Sequence, residues 1–490
     1  MKLRLTLLVI LICYAAFTQK TFAAYMPASD TTDISAYKKY ISDNEQKHLQ
    51  EFMDFVAIPD ISSLPAHKAD MQRCAEWLKN KLQSIGMANA RVMSTEGHPV
   101  VYADWNNADG KPTVLIYGHY DVQPVQEAMW TSPPFQPRQD NGRIYGRGAS
   151  DDKGSVIAAI WAIEAMLQKE GKLPVNVKVI FEGEEEIGSP HLEKFMAANK
   201  DLLKTDYAYS ADALQKSDTQ PEMGMSVRGA ATMEFTLTTA NRDLHSGIYG
   251  GKLLNAAQAM SQIVESLHTP DGKVAVKGFY DKVKPMTAEE KAMAAKAPYD
   301  EQKELQENGA MLFTGEKGYT SLERVWWRPT LDVTGMWSGY TAEEGFLNIV
   351  PASAHCRIMC RLVQNQQSDE IIALIKKHIA ANTPKGATIT YKDLGGFSND
   401  AVKYSTNTNA FKYAYAVLTQ LYGREPMLMG SGGSNAAMAI INKQLGIPAY
   451  SFGFLQEDEN FHSHNEFMRV SDLEKGQYAF CMLLTYIGNK

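Results

Sequence analysis

Thr113-Val114-Leu115-Ile116-Tyr117-Gly118-His119-Tyr120-Asp121 is five apolar or β-branched residues, a glycine stop, and then a histidine two residues before a carboxylate. A short apolar run closed by glycine reads as a buried strand. The next segments repeat the logic. Ser155 to Leu167 carries Val156, Ile157, Ile160, Ile163, Met166 and Leu167 at helical spacing, and Val175 to Phe181 is a second strand. Tyr207 to Ala211 is a third, running into Asp212. Strands alternating with helices predict an α/β fold with a mostly parallel sheet and helices on both faces. In such sheets, sites form outside the carboxyl ends of the strands, where His119, Asp121 and Asp212 fall.

Near residue 225 the texture changes. Thr232 to Thr238 alternates like a half-exposed strand, with Met233, Phe235 and Leu237 on one side. A helix is expected from Asn255 to Leu267, then a polar insertion over 270–325 with charged helical pieces such as Ala288 to Ala297. Strands follow at Thr330 to Gly335 and Ala354 to Val363, a helix N-capped by Ser368, and a strand at Thr388 to Lys392. This order predicts a small antiparallel α+β (ferredoxin-like) sheet with two helices on one face. After Asn399 the α/β texture returns, with a helix at Asn409 to Tyr422 and a strand at Ala449 to Phe452. The expected division is therefore 24–224 with 399–490 as one domain, and 225–398 inserted into it.

With 44% hydrophobic and 21% charged residues, the 490-residue chain is of globular composition, long enough for two or three domains. Its formal charge of −7 argues against a nucleic-acid partner, which needs basic clusters. Lys2 and Arg4 precede an apolar stretch from Leu5 to Phe17, and Thr21-Phe22-Ala23-Ala24 supplies small residues after it. That pattern predicts a signal peptide over 1–23, an exported protein in the periplasm or medium, and no membrane association after cleavage. Of five cysteines, Cys13 would be lost with the signal, and Cys74, Cys356, Cys360 and Cys481 are expected as buried thiols.

Two more strand ends are acidic. Gly148-Ala149-Ser150-Asp151-Asp152-Lys153-Gly154 leads into the helix at Ser155, and Glu182-Gly183-Glu184-Glu185-Glu186-Ile187-Gly188-Ser189 follows a strand. Phe461-His462-Ser463-His464-Asn465-Glu466 adds imidazoles near the C-terminus. Each cluster alone reads equally well as a solvated turn or as helix N-terminal charge. Together, converging carboxylates repel unless a cation or proton holds them. Histidine plus carboxylate without cysteine favours a catalytic over a structural zinc site, with room for two ions bridged by one aspartate.

These motifs, in this order over nearly the whole chain, resemble the co-catalytic zinc peptidases. That family includes carnosinase-type dipeptidases, carboxypeptidase G, and the acetylornithine and succinyl-diaminopimelate deacylases. Asp243-Leu244-His245-Ser246-Gly247-Ile248-Tyr249-Gly250-Gly251 resembles the lid motif of the dipeptidase and carboxypeptidase branch. The resemblance implies two zinc ions per chain, with cobalt or manganese as substitutes. His119 and Asp212 would hold one ion, Glu186 and His462 the other, and Asp151, rather than Asp152, would bridge them through a carboxylate followed by a cis peptide. Asp121 would orient His119, and Glu185 would be the general base for attack of a metal-bound hydroxide. Glu184 and His464 fall outside the pattern.

The same resemblance assigns His245 to oxyanion stabilisation in a partner's site, hence a homodimer through the lid. Arg361 and Ser434, the latter in Gly430-Ser431-Gly432-Gly433-Ser434, would grip the substrate carboxylate. Asn348 stands where relatives carry Thr and would shape the pocket for the peptide's C-terminal end. The implied substrate is a dipeptide or short peptide with a free carboxylate. An N-acyl amino acid deacylase and a metal-free peptide-binding protein are the alternative readings.

Overall fold

The computed structural model describes residues 32–392, 394 and 398–490; the expected signal peptide and Cys13 lie outside them. The decisive strand is Thr113–His119, buried from Val114 onward. It runs parallel between Asn176–Glu182 and Tyr207–Ser210, with His119 beside Glu182 and Tyr117 beside Ser210. Ala449–Ser451 adds a further parallel strand next to Tyr207–Ser210. At the other edge, Ala88–Met93 and Val100–Trp105 pair antiparallel, and the second of them runs antiparallel to Asn176–Glu182. The sheet is therefore mixed, with an antiparallel edge built from residues that precede the helix-strand alternation.

Side-chain alternation along the strands sorts the core into two layers. Val114, Ile116, Val177, Val179 and Phe181 join one cluster with the helices Ser155–Glu170 and Val470–Gly488. Leu115, Tyr117 and Ile180 point the other way, onto Leu192–Ala198 and Ala436–Leu445. Helix Ser155–Glu170 is buried along nearly its whole surface up to Met166. A helix apolar on all sides needs covering on all sides, and the C-terminal helix, with Cys481 on Ala162, supplies part of that cover.

A second sheet of four antiparallel strands has the order Thr330–Ser338, Ser353–Leu362, Gly229–Thr238, Thr388–Lys392. Helices Ala256–Glu265 and Ser368–Asn382 cover one face, burying Met260, Ile263, Ile371, Ile375 and Ile379 against Met233, Phe235 and Leu237. Two local expectations need correcting. Gly229–Thr238 is central, not half-exposed, so Thr232 and Glu234 are buried along with the apolar residues. Ser368 is the first helical residue and not the cap; Gln367 occupies that position, and the Ser368 N–H donates to Asp400 Oδ1 at 3.0 Å.

The polar insertion contains helices Ala288–Lys296, Glu301–Glu307 and Ser321–Trp327, two of them opened by capping boxes at Thr287/Glu290 and Thr320/Glu323. The insertion divides between the two cores: Val274, Val276 and Phe279 join that of the antiparallel sheet, while Ala294, with Trp326 and Trp327 just beyond it, joins that of the first sheet. The chain passes between the two sheets through Ser226–Val227 and returns through Val402–Lys403, which pair antiparallel. Cys74, Cys356, Cys360 and Cys481 are buried free thiols, as expected. Among the described residues no helix is long and apolar enough to cross a membrane.

Candidate metal centre

The carboxyl ends of the parallel strands bring the predicted residues together. His119 ends its strand, Glu185 and Glu186 lie in a short 3-10 turn after Asn176–Glu182, and Asp212 follows Tyr207–Ser210. His462 arrives from the loop beyond Ala449–Ser451. Asp151 sits at the middle of the group. Its Oδ1 is 3.1 Å from His119 Nε2, and its Oδ2 is 3.0 Å from His462 Nε2. His462 Nε2 is also 3.0 Å from Glu186 Oε2. Two donor sets result, His119 with Asp151 and Asp212, and Asp151 with Glu186 and His462, each with its ligand atoms within 4.8 Å of one another. Asp151 belongs to both.

Local structure explains how Asp151 is aimed. The Asp151-Asp152 peptide is cis. Glu466, fully buried, accepts the N–H groups of Ser150 and Asp151 on Oε1 and of Gly148 on Oε2. Arg147 Nη1 donates to that same Oε2 at 2.7 Å. Asp152 is buried away from solvent, its Oδ2 accepting the His119 N–H at 3.3 Å. Gly118 makes this approach possible, since a Cβ there would lie 2.9 Å from Asp152 Oδ2 and 2.5 Å from Val156.

Asp121 links the two sides of the cluster. Its backbone carbonyl is 3.0 Å from His119 Nδ1, with its carboxylate 3.4 Å away. The two carboxylate oxygens accept the N–H groups of Glu185 and Glu186 at 3.1 and 3.2 Å. One side chain thus sets both the imidazole and the acidic turn. Glu184 turns elsewhere, accepting the His98 N–H and facing His191. His464 is exposed, meeting Ser463 Oγ at 3.5 Å.

Electrostatics at the site are those of a group lacking its counter-charge. Burial, followed by repulsion from neighbouring acids, pushes Glu185 well above the usual carboxylate range. Burial also raises Glu186 to about 7 and Asp212 to about 6. Burial works against ionised Asp151 too, but hydrogen bonds from His119 and His462 outweigh it and hold the carboxyl low. Hydrogen bonds to Asp151 and Glu186 raise His462 to about 10. Among the described residues no Lys or Arg pairs with Asp151, Glu185, Glu186 or Asp212. Carboxylate oxygens and imidazole nitrogens, crowded together with no lysine or arginine paired to them, are a donor set suited to divalent metal.

Three neighbours escaped the motif reading. Gln123 Nε2 donates to Glu186 Oε2 at 2.7 Å, Asn435 Nδ2 donates to Asp212 Oδ2 at 3.0 Å, and Glu466 positions Asp151. Asn435 directly follows Ser434, and Glu466 closes the His462 run, so adjacency to a motif was the available signal.

Of the expected substrate contacts, Arg361 and Ser434 meet, with Arg361 Nη1 donating to Ser434 Oγ at 2.7 Å. His245 and Asn348 are also neighbours: Leu244–His245 pairs with Ile349–Val350, and the Ser246 N–H donates to the Asn348 carbonyl. Both are exposed, and no hydrogen bond among the described residues joins them to the metal-facing groups.

The α/β fold and this donor set define a protein suited to hold divalent metal at the carboxyl ends of its strands. Residues 115–486 match the model for peptidase family M20/M25/M40, and the chain belongs to that family. It is similar to the cysteinylglycine-S-conjugate dipeptidase of Corynebacterium striatum, 27% identical over 454 residues, covering 91% of this chain and 97% of that one. It is likewise 27% identical over 457 residues to the Beta-Ala-His dipeptidase of Rattus norvegicus, covering 87% and 90% of the two chains. Among solved structures, the M20 family metallo-carboxypeptidase Sso-CP2 from Sulfolobus solfataricus superposes with a TM-score of 0.81 at 32% identity, over 91% of this chain and all of that one. The chain is thus a metallopeptidase of the dipeptidase and carboxypeptidase branch, as its motifs implied.

Proposed function

We propose that this is an exported di-zinc peptidase that hydrolyses dipeptides or short peptides bearing a free C-terminal carboxylate. The observation that carries the reading is Asp151, whose two oxygens each face an imidazole belonging to a different donor set. His119, Asp151 and Asp212 would hold one ion, and Asp151, Glu186 and His462 the other; cobalt or manganese would fit the same donors. When bound, such a pair polarises the scissile carbonyl and acidifies water.

The protein's own groups do the rest. Glu185 belongs to neither donor set, and its burial favours holding a proton. It takes the proton from the attacking water and delivers it to the leaving amine. Asp121 keeps the His119 ring and the Glu185 backbone in register. Arg361 and Ser434 receive the substrate carboxylate, as suits a guanidinium fork beside a hydroxyl, and Asn348 borders the C-terminal end.

Residues 225–398 serve as lid and dimerisation domain on the catalytic body formed by 24–224 and 399–490, and His245 reaches the partner's site to stabilise the oxyanion. The edge strand Thr330–Ser338 supports a dimer, with Val333 and Met336 exposed along it and Ile248, Phe346 and Leu347 exposed elsewhere in the same domain. Unpaired apolar edges seek a partner. Residues 1–23 act as the export signal.

The test compares a dipeptide with an N-acetyl amino acid as substrates for protein of measured metal content. Preference for the dipeptide at about two metals per chain supports the proposal. Preference for the acetylated compound would make the protein a deacylase, and metal-free protein that binds peptides without cleaving them would make it a binding protein. Export is checked separately by N-terminal sequencing of the protein recovered outside the cytoplasm.

A further inference from the structure

Arg228 follows Ser226–Val227, the strand by which the chain leaves the metal-bearing sheet, and is only 7% exposed. Its Nε donates to the Gly432 carbonyl at 2.9 Å and its Nη1 to the Arg328 carbonyl at 3.3 Å. Its backbone N–H donates to the Gly433 carbonyl at 2.9 Å. Helix Ser321–Trp327 also lies against the loop: a Cβ at Gly432 would lie 2.4 Å from Val325, and one at Gly430 2.5 Å from Trp326. The loop thus packs against both Arg228 and that helix.

Arg361 approaches the loop from the neighbouring strand. Ala230 is paired with Arg361 in the antiparallel sheet, so the two arginines leave adjacent strands near the same end. Arg361 bonds Ser434, and the next residue, Asn435, bonds Asp212. Among the described residues neither guanidinium is within ion-pair distance of a carboxylate, Asp332 acting on both from farther away. Burial and then the nearby Arg361 charge lower Arg228 to about 10. Two partly desolvated cations flanking one glycine-rich loop make a setting that gains from an incoming carboxylate.

We propose that Arg228 is a positioning residue for the peptide's C-terminal carboxylate, holding the Gly432–Ser434 segment in register with Arg361 so that hydroxyl and guanidinium converge on one anion. This rests on reading Arg361 and Ser434 as the carboxylate contacts.

The experiment measures KM and kcat of Arg228→Met, Arg228→Lys, Ser434→Ala, Arg361→Met and the Arg228→Met/Ser434→Ala pair, on a dipeptide and on its C-terminal amide. Metal content is determined for each variant. Arg228→Met is expected to raise KM for the dipeptide about ten-fold, as for loss of one charge-assisted bond, with a smaller effect on the amide and unaltered metal. Arg228→Lys, which keeps the charge and can reach one carbonyl, should recover part of the loss and provides the readout if the Met variant does not fold. Because Arg228 acts through the loop, adding Ser434→Ala should cost little more than the larger single change. Additive effects, equal losses on dipeptide and amide, or an unmoved KM in Arg228→Met and Arg228→Lys would overturn the proposal. If Ser434→Ala and Arg361→Met themselves leave KM for the dipeptide unchanged, the carboxylate pocket is misassigned and the inference falls with it.

Discussion

Glu466 and Asp151 are joined through the backbone: the Glu466 carboxylate accepts the Asp151 N–H at 3.1 Å while the Asp151 side chain faces both His119 and His462. A buried anion thus gathers three N–H groups and Arg147 around the segment that carries the shared carboxylate. Glu466→Gln keeps the volume but removes the charge and turns an amide NH2 toward N–H donors. Stability should fall by about 3 kcal/mol, because Arg147 is left buried without its partner. Metal affinity should drop about ten-fold or more as the Asp151 segment loosens. Thermal unfolding and competition with a chelator measure the two effects; unchanged metal affinity would mean Glu466 is purely structural.

Glu185→Gln separates chemistry from metal binding. Glu185 is in neither donor set, so the variant should retain its metal while kcat falls by at least about 10²–10⁴-fold. Substantial retained turnover at full metal content would remove Glu185 from the role of general base.

The raised acids predict how pH acts on the metal-free protein. Burial holds protons on Asp212 up to about pH 6 and on Glu186 up to about 7, above their values in an unfolded chain. The folded state therefore binds more protons, and stability falls as pH rises from roughly 4 through 7. His462, raised to about 10, contributes in the same sense, its share being complete below its ordinary value and lost as pH approaches 10. Metal displaces these protons, so the increase in Tm on adding zinc should grow over pH 4 to 7. Scanning calorimetry with chelator and with zinc across that range is the check, and a pH-independent increment would contradict it.

His245 offers a test of assembly. If it serves the partner's site, His245→Ala and Glu185→Gln proteins are each nearly inactive, yet mixed dimers contain one site with both groups intact. Activity should reappear on mixing under conditions of subunit exchange. Activity that stays absent although exchange is demonstrated would place His245 outside the partner's site.

Lys153 tests a buried charge that the metal does not use. Its ammonium, fully buried, meets Asp60 at 2.7 Å and the carbonyls of Phe55 and Ile58. Lys153→Met should cost about 3–5 kcal/mol by leaving Asp60 buried and unpaired, and Asp60→Asn with Lys153→Met should recover part of it in denaturant unfolding.

Much of this architecture is legible in the sequence. Strands such as Thr113–His119 and helices such as Asn409–Tyr422 announce themselves because burial repeats at two or at about 3.6 residues, and each residue's own polarity records it. Glycine stops and acidic turns mark the strand ends and bring out the clusters that hold His119, Asp151, Glu185, Glu186 and Asp212, while the choice of these members, and of His462 over His464, is what the family resemblance implies. Strand order and side-chain aim belong to the tertiary structure. The antiparallel edge of the first sheet, the central place of Gly229–Thr238, and the attachment of Trp326 and Trp327 to the first core depend on which elements meet. Local periodicity cannot encode that. The same holds within the site: that Asp151 turns one oxygen to each imidazole, that Glu466 fixes its backbone, and that Arg228 reaches the Gly432 carbonyl are relations between distant segments. They follow from the packing of two sheets around one crossing, which sets distances that no single stretch of chain contains.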